Sequence, residues 1–411
     1  MIKIVDKMSL FREIPPTAGL PISLKELLLT FCCQKTGQLE NDLIEYLKIP
    51  YAQITYSGTA AFYIILEALK NISSKKTVII PSFICPLVPL ARTRAGLKIL
   101  VCDIEKDSFN YQSEKLKEIC LKNNDILSIV ALHLAGIPAD FESISKIAKE
   151  RGIFIIEDCA QSLGASYQGK TTGSLGDFSF FSLCRGKGLT IYEGGVISSK
   201  PEFSKLIQET AQRIIKDDPL SEGLKILELF GYLIFYRPLL FWFVFRLPQI
   251  FWELQGKTEK AFIEYFSLDF PLHKVSKIRK DIGHCQFNLL NQEINKQREK
   301  ASYYISKLKE IPGIKIIAES KGDYSNYPYL TLIFDQPSKR NQTLSIFKNS
   351  GLGVSIIYLN AITDYEYLEN IYSPQDSCNA RHLAQRHITL STSLFLKTKD
   401  LDRVIEKIRQ I

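Results

Sequence analysis

Four short runs rich in Ile, Val and Leu punctuate the first half of this chain, at 76–83 (KTVIIPSF), 97–104 (LKILVCDI), 126–134 (ILSIVALHL) and 153–160 (IFIIEDCA). Each is bounded by turn or polar residues, so each reads as a buried strand. Between them lie AAFYIILEALKN (60–71), SEKLKEICLKNN (113–124) and FESISKIAKERG (141–152), with apolar residues at helical spacing. Strands that are apolar throughout and alternate with helices belong in a parallel sheet covered on both faces. A ligand is then expected at the carboxyl ends of the strands. Changes of pattern divide the chain into an N-terminal arm (1–24), a large domain (25–220), an apolar helical insertion (221–265) and a smaller C-terminal α/β domain (266–411). That last region is expected to open with one long helix over 277–309.

Composition narrows the function classes. Of 411 residues, 45% are apolar and 23% charged, an ordinary globular balance with ample core. The net charge of +8 comes without a long Lys/Arg block. Such moderate basicity suits anionic substrates, and no nucleic-acid partner is expected. The nine cysteines form no CxxC pair and no Cys/His cluster at zinc spacing, so no metal is expected. Several lie in apolar runs as buried thiols do, which points to a reducing, cytoplasmic location. The opening MIKIVDKMSLFREIPP carries charges where a secretion signal needs an apolar core.

The stretch 227–252, LELFGYLIFYRPLLFWFVFRLPQIFW, contains both tryptophans of the chain. Arg237, Pro238, Arg246 and Pro248 break it, and its uninterrupted apolar runs reach eight residues. A spanning helix needs ~20. Two readings follow: a buried helical hairpin or oligomer contact, or a peripheral membrane-surface element on the inner face with arginines at headgroup level.

Lys187 sits between two glycines in FSFFSLCRGKGLTIYEGGV (178–196). It does not belong to a phosphate-binding G-x-x-x-x-G-K-[ST] loop, because Gly188 follows it and Phe181 occupies the first glycine position. Upstream, Asp158 ends an apolar strand at the expected ligand face, where a helix cap or an ion pair is the plain alternative. Ser57, Gly58 and Thr59 precede a strong helix whose free N–H groups suit phosphate, unless Ser57 or Thr59 is simply an N-cap. Ser182 adds a hydroxyl. Together, a phosphate cradle, a strand-end carboxylate and a glycine-flanked lysine are the groups that pyridoxal phosphate requires. A carboxylate beside the pyridine nitrogen favours its protonated form.

At these residues the chain resembles the DegT/DnrJ/StrS aminotransferases, pyridoxal-phosphate enzymes of fold type I that mostly aminate nucleotide-linked keto-sugars. The matching stretches are SGTAA (57–61), VIIPSF (78–83), CDIEKDSFN (102–110), HLAGIPADF (133–141), IIEDCAQSLGASYQGKTTGSLGDFSFFS (155–182), EGG (193–195) and IGHCQFNLLNQEINKQRE (282–299). The resemblance implies a homodimer and assigns roles by position. Lys187 is the cofactor-anchoring lysine and proton carrier, Asp158 the pyridine-nitrogen partner and Gln161 the contact to the ring hydroxyl. Gly58, Thr59 and Ser182 are the phosphate ligands.

The chain also departs from the family pattern. Cys85, followed by Pro86, stands where many members stack an aromatic on the ring, which leaves Phe83 as the candidate. Leu272 and Lys274 stand where an Asn and an Arg often reach the partner's cofactor. Arg185 adds a cation, open between an anion contact and plain exposure. The expected function is transfer of an amino group, from glutamate, to a keto-sugar linked to a nucleotide or a lipid, in surface polysaccharide or glycolipid synthesis. The alternatives are a sugar dehydratase of the same fold, which Lys187 opposes because that branch often has His there, and a non-catalytic cofactor-binding or regulatory protein.

Overall fold

The computed structural model describes residues 11–30, 37–262, 264–372 and 376–411; Cys32 and Cys33 lie outside them. The main sheet comprises β1 (Gln53–Thr55), β2 (Thr77–Pro81), β3 (Lys98–Cys102), β4 (Ile126–Leu132), β5 (Phe154–Asp158), β6 (Phe178–Ser182) and β7 (Gly195–Ser199). Their spatial order is β1-β7-β6-β5-β4-β2-β3. From β3 to β6 all neighbours are parallel, and β7 runs antiparallel to both β6 and β1. The mostly parallel α/β sheet expected from the sequence is therefore what forms.

The strand period of two splits the core between the two faces. Ile79, Ile129 and Ile155 pack with Leu116, Ile144 and Ile147, from the helices Ser113–Lys122 and Phe141–Arg151. Val78, Ile80, Val130 and Ile156 pack on the other side with Phe62, Ile65 and Leu66 of the helix Gly58–Leu69. Every residue of β2 and β4 is buried, which removes the polar face an exposed sheet would show. The four strands read from sequence are β2 to β5, trimmed at their ends. β1, β6 and β7 are additional.

A second, antiparallel sheet follows: β8 (Ile314–Ile317), β9 (Tyr329–Phe334), β10 (Val354–Ser355) and β11 (His387–Ser391), in the order β8-β9-β11-β10. Tyr304 and Leu308, with Val404 and Ile408, cover it from the helices Leu290–Leu308 and Thr398–Arg409. Arg12 of the N-terminal segment forks onto Asp400 of the last helix at 3.0 and 2.8 Å.

The single helix expected over 277–309 is two, Lys277–Phe287 and Leu290–Leu308. At the break the Leu289 N–H reaches back three residues to the Gln286 carbonyl, at 2.9 Å, and tightens the turn. This lets the Gln286 amide donate to the Thr190 carbonyl (3.1 Å) while Leu290 is fully buried against the segment that follows Lys187.

The apolar segment is a helical hairpin. Pro219–Phe235 is capped by Asp218, which accepts from the Ser221 N–H at 3.0 Å. After a 115° bend, a near-continuous helix runs over Pro238–Leu254, with a π-turn at Trp242–Arg246. Leu229, Tyr232 and Tyr236 bury against Ile22 and Ile282, but much of the hairpin is exposed, so within this chain it is buried on one side only.

The anchor of the hairpin is a buried ion pair. Arg279 is fully enclosed and donates through Nε and Nη2 to the two Glu222 oxygens, each at 2.7 Å. Its Nη1 donates to the Glu193 carbonyl, so one guanidinium holds the hairpin, the helix Lys277–Phe287 and the loop after Lys187. Arg279→Ala should cost about 3–5 kcal/mol, because Glu222 is left buried without its partner. Urea denaturation of Arg279→Ala and of Arg279→Met/Glu222→Leu checks this, and the double variant should be the more stable of the two.

Candidate active site

The carboxyl ends of β1, β2, β4, β5 and β6 form one edge of the main sheet, and β7 begins there. The pairing places Thr55, Gly195 and Ser182 in one row across β1, β7 and β6. Asp158 ends β5. Its carbonyl accepts from the His133 N–H (3.1 Å), and its Oδ1 accepts from the Ala160 N–H (3.0 Å). The carboxyl is 3% exposed. Burial pushes it up to about 6, while the Ala160 N–H and, next, the charge of Lys187 pull it down. The Lys187 ammonium therefore acts directly on the Asp158 carboxyl, although 28 intervening residues separate them in sequence.

Gly58 and Thr59 open the helix Gly58–Leu69. Ser57 is its N-cap, with Oγ accepting from the Ala60 N–H at 3.1 Å. The plain N-cap reading of Ser57 thus holds, yet the first N–H groups of the helix have no intrahelical acceptor. The helix start is pressed against the end of β6: a Cβ on Gly58 would lie 3.3 Å from the Phe181 carbonyl and 3.4 Å from Ser182 Cβ. Ser182 and the helix N-terminus consequently face one small volume, where an anion meets both N–H donors and the positive end of the helix dipole.

Lys187 lies in a tight loop after β6, its N–H donating to the Cys184 carbonyl at 3.2 Å. Gly186 adopts φ +77°, a conformation that disfavours a side chain. The N-terminal segment lies directly on this loop. The Leu20 N–H donates to the Lys187 carbonyl (3.1 Å), and a Cβ on Gly19 would come within 2.6 Å of Gly186 Cα. Arg185 is exposed and donates to the Tyr192 hydroxyl at 3.0 Å.

Gln161 is held rather than free. Its Oε1 accepts from the Ala135 N–H (3.0 Å) and from the Tyr329 hydroxyl (2.5 Å), the latter on β9 of the second sheet. Phe83 is enclosed, its ring packed among Phe109, Tyr358 and His387. Burial pushes the Cys85 thiol up to about 12; Asp158, Lys187 and Glu264 all act on it, which sets Cys85 among the site charges. Of the positions aligned with cross-subunit contacts, Lys274 pairs within the chain with Asp217 at 3.0 Å, and Leu272 packs at the edge of the core.

Three residues near the site carry no signature in the sequence. Tyr358 is buried, and Cys85, Asp158 and Glu264 all raise its hydroxyl further. Tyr329 holds Gln161. Glu264 accepts from the Leu359 N–H (3.0 Å) and from the Tyr365 hydroxyl. Glu264, Arg185 and Gly186 also line a cavity of about 650 Å³, together with the N-terminal segment at Pro15–Thr17, residues 355–357 and hairpin side chains such as Tyr232, Phe241 and Phe245. None of these contacts is local, so only the folded chain displays them.

Burial raises Glu264 from 4.5 to about 7, opposed by the Tyr365 hydroxyl and the Leu359 N–H. Between those values the folded chain holds a proton that the unfolded chain has released. Stability is therefore fully present below 4.5 and falls as pH rises toward about 7. Glu264→Gln should flatten that slope and exceed wild-type stability at neutral pH by about 1–3 kcal/mol, leaving the contribution of Glu13, also raised to about 7 by burial. Urea midpoints across this pH range test it, and an unchanged slope would contradict the assignment.

Known proteins align with this frame. The sequence profile of the DegT/DnrJ/EryC1/StrS aminotransferase family matches residues 24–213 and 260–409, and passes over the hairpin. The chain is 22% identical over 376 residues to the dTDP-4-amino-4,6-dideoxy-D-glucose transaminase of Shigella dysenteriae, covering 91% of this chain and 89% of that one. The fold is shared with Spr1654 of Streptococcus pneumoniae in its PLP form, at a TM-score of 0.74 and 19% identity, over 95% and 98% of the two chains. It is equally shared with PseC of Helicobacter pylori, an aminotransferase of pseudoaminic acid biosynthesis, at 0.75 and 17% over 97% and 99%. Because the profile runs through the strand-end carboxylate, the helix N-terminus and the lysine loop alike, the chain belongs to the DegT/DnrJ/EryC1/StrS aminotransferase family.

Proposed function

We propose that this aminotransferase moves an amino group from glutamate to a keto-sugar carried on a nucleotide or a lipid, as a step toward a surface polysaccharide or glycolipid. The observation that carries the reading is electrostatic: Lys187 acts on a carboxyl, Asp158, that burial alone would hold up, at the edge where the helix Gly58–Leu69 presents its N-terminus. That donor set fits pyridoxal phosphate. When bound, the cofactor supplies an electron-withdrawing ring that stabilises negative charge on the carbon losing a proton.

The chain's own residues do the rest. The Gly58 and Thr59 N–H groups and the Ser182 hydroxyl bind the phosphate. Asp158 takes the pyridinium N–H; a cation there lowers its pKa, so the carboxylate and the ring proton hold each other in place. Gln161 has Oε1 committed to Ala135 and Tyr329, which leaves Nε2 to donate to the ring hydroxyl. Lys187 would anchor the cofactor, and its amine in the neutral form would remove and return the substrate proton. Phe83, Cys85 and Tyr358 form the wall beside the ring and keep water out. Cys85, Cys102, Cys120, Cys159, Cys184 and Cys378 are free thiols, which supports a reducing cytoplasm. A homodimer suits the family, with the cross-subunit contact altered at Leu272 and Lys274.

Wild-type protein given pyridoxal phosphate should develop a violet-region absorption band that glutamate bleaches. Lys187→Ala should lack the band and the bleaching. Wild type that binds the cofactor but ignores glutamate would instead indicate the non-catalytic alternative. Asp158→Asn should retain bound cofactor but bleach about 10²-fold or more slowly, since a preorganised charge opposite the ring is lost. Stopped-flow absorbance reads both variants, and a wild-type rate in Asp158→Asn would remove Asp158 from its role.

A further inference from the structure

The hairpin's inner face is accounted for, and its outer face is not. Leu240, Phe243, Val244, Leu247, Phe251 and Leu254 recur at the three- and four-residue spacing that puts side chains on one side of a helix, and all are exposed, Leu254 by 84%. Leu220, Leu224, Leu227 and Ile234 do the same on the first helix. Leaving so much apolar surface in water marks a docking face.

The chemistry of the face selects its occupant. Between Leu239 and Phe251 every exposed side chain is apolar. A protein–protein interface carries roughly one hydrogen bond per 100–200 Å², and these side chains offer no donor or acceptor. A hydrocarbon surface needs none. The arginines of the hairpin turn back into the protein. Arg246, 5% exposed, donates to Gln249, Glu253 and Asn349; Arg237 donates to the Ile22 carbonyl. At the far end, exposed Lys257 and Lys260 lie 5.4 and 5.3 Å from the Trp252 ring, an aromatic with cations of the kind that sits at headgroups. No single helix among the described residues is long and apolar enough to cross a membrane, and the two that would pass together are bent by 115°, a geometry that suits an element lying along a surface.

We propose that the hairpin Pro219–Leu254 seats this enzyme on a bilayer containing anionic phospholipid, its outer face at the acyl boundary and Lys257 and Lys260 at the phosphates. The cavity of about 650 Å³ lies under the same element, walled by Phe235, Phe241, Val244 and Phe245 and closed on the other side by Arg185 and Gly186. It joins the docked face to the lysine loop by an apolar volume. Resting on the aminotransferase reading, the acceptor is then a keto-sugar whose carrier has a hydrocarbon part.

The test is flotation of the full-length holoenzyme with vesicles of phosphatidylcholine, and of phosphatidylcholine with phosphatidylglycerol. Wild type should float with the mixed vesicles and less with phosphatidylcholine alone. Phe243→Glu/Phe251→Glu should lower the bound fraction about tenfold or more, as loss of two buried aromatics implies, with glutamate bleaching unchanged. Lys257→Glu/Lys260→Glu should lower binding to the anionic vesicles only, and covers the case in which the aromatic variant does not fold. Failure of wild type to float overturns the docking, as does a Phe243→Glu/Phe251→Glu variant that merely turns a dimer into monomers, since a second copy would then occupy the face. Flotation without glutamate bleaching overturns the reaction and leaves the docking; bleaching without flotation does the reverse.

Discussion

Glu157 has no exposed surface, and its two oxygens accept four hydrogen bonds: from His133 Nε2 at 3.0 Å and from the N–H groups of Gly173, Leu175 and Gly176 at 2.7–2.8 Å. Much of the site depends on this knot. The three N–H groups fix the turn that leads into β6, and thereby the strand end that carries Ser182. The imidazole is fixed from its other side, where Nδ1 accepts from the Ala139 N–H, so its proton is on Nε2. Adjacent residues of a strand point to opposite faces; with Glu157 committed to the turn, Asp158 is committed to the other side. Cys159 lies close enough to suggest a metal site with His133 and Glu157. Both ring nitrogens are already engaged, however, and burial pushes the thiol well above its ordinary range. The cluster is a structural fastening.

The lysine loop is fastened from two further directions. The N-terminal segment lies on it through Leu20 and Gly19, and Arg279 holds the chain just beyond it through the Glu193 carbonyl. The role proposed for Lys187 would gain from such rigidity, because positional error is costly in catalysis. The same guanidinium grips the hairpin through Glu222, so the apolar element and the lysine loop share one anchor.

The sequence disclosed what local chemistry encodes. Uniformly apolar runs revealed β2 to β5 and the parallel sheet, and the strand-end position singled out Asp158. Glycines on both sides marked Lys187 as constrained. Beyond that, local signals thin out. β6 is a mixture of Phe and Ser, and β7 starts at a glycine, so neither shows the Ile/Val/Leu run that betrays a buried strand. The break after Phe287 has no proline or glycine to announce it; it is set by what Gln286 and Leu290 meet in the tertiary fold. Glu264, Tyr329 and Tyr358 reach the site from segments that begin 77 residues beyond Lys187 along the chain, where periodicity says nothing. The hairpin's composition was plain, but which of its residues face outward is decided by the Arg279 anchor and the Tyr232 and Tyr236 contacts.

The bidentate contact between Arg12 and Asp400 joins residues 388 apart in sequence. The same arm is tied to β11 by the Ser391 hydroxyl, which donates to the Pro15 carbonyl at 2.7 Å, before it passes over Lys187. On the ribosome the main sheet can form while synthesis continues, but the strap over the lysine loop lacks its Ser391 and Asp400 fastenings until those residues have left the exit tunnel. Vectorial synthesis thus leaves the loop that carries Lys187 without its full strap until late, and the arm over it among the later pieces to be fully fastened.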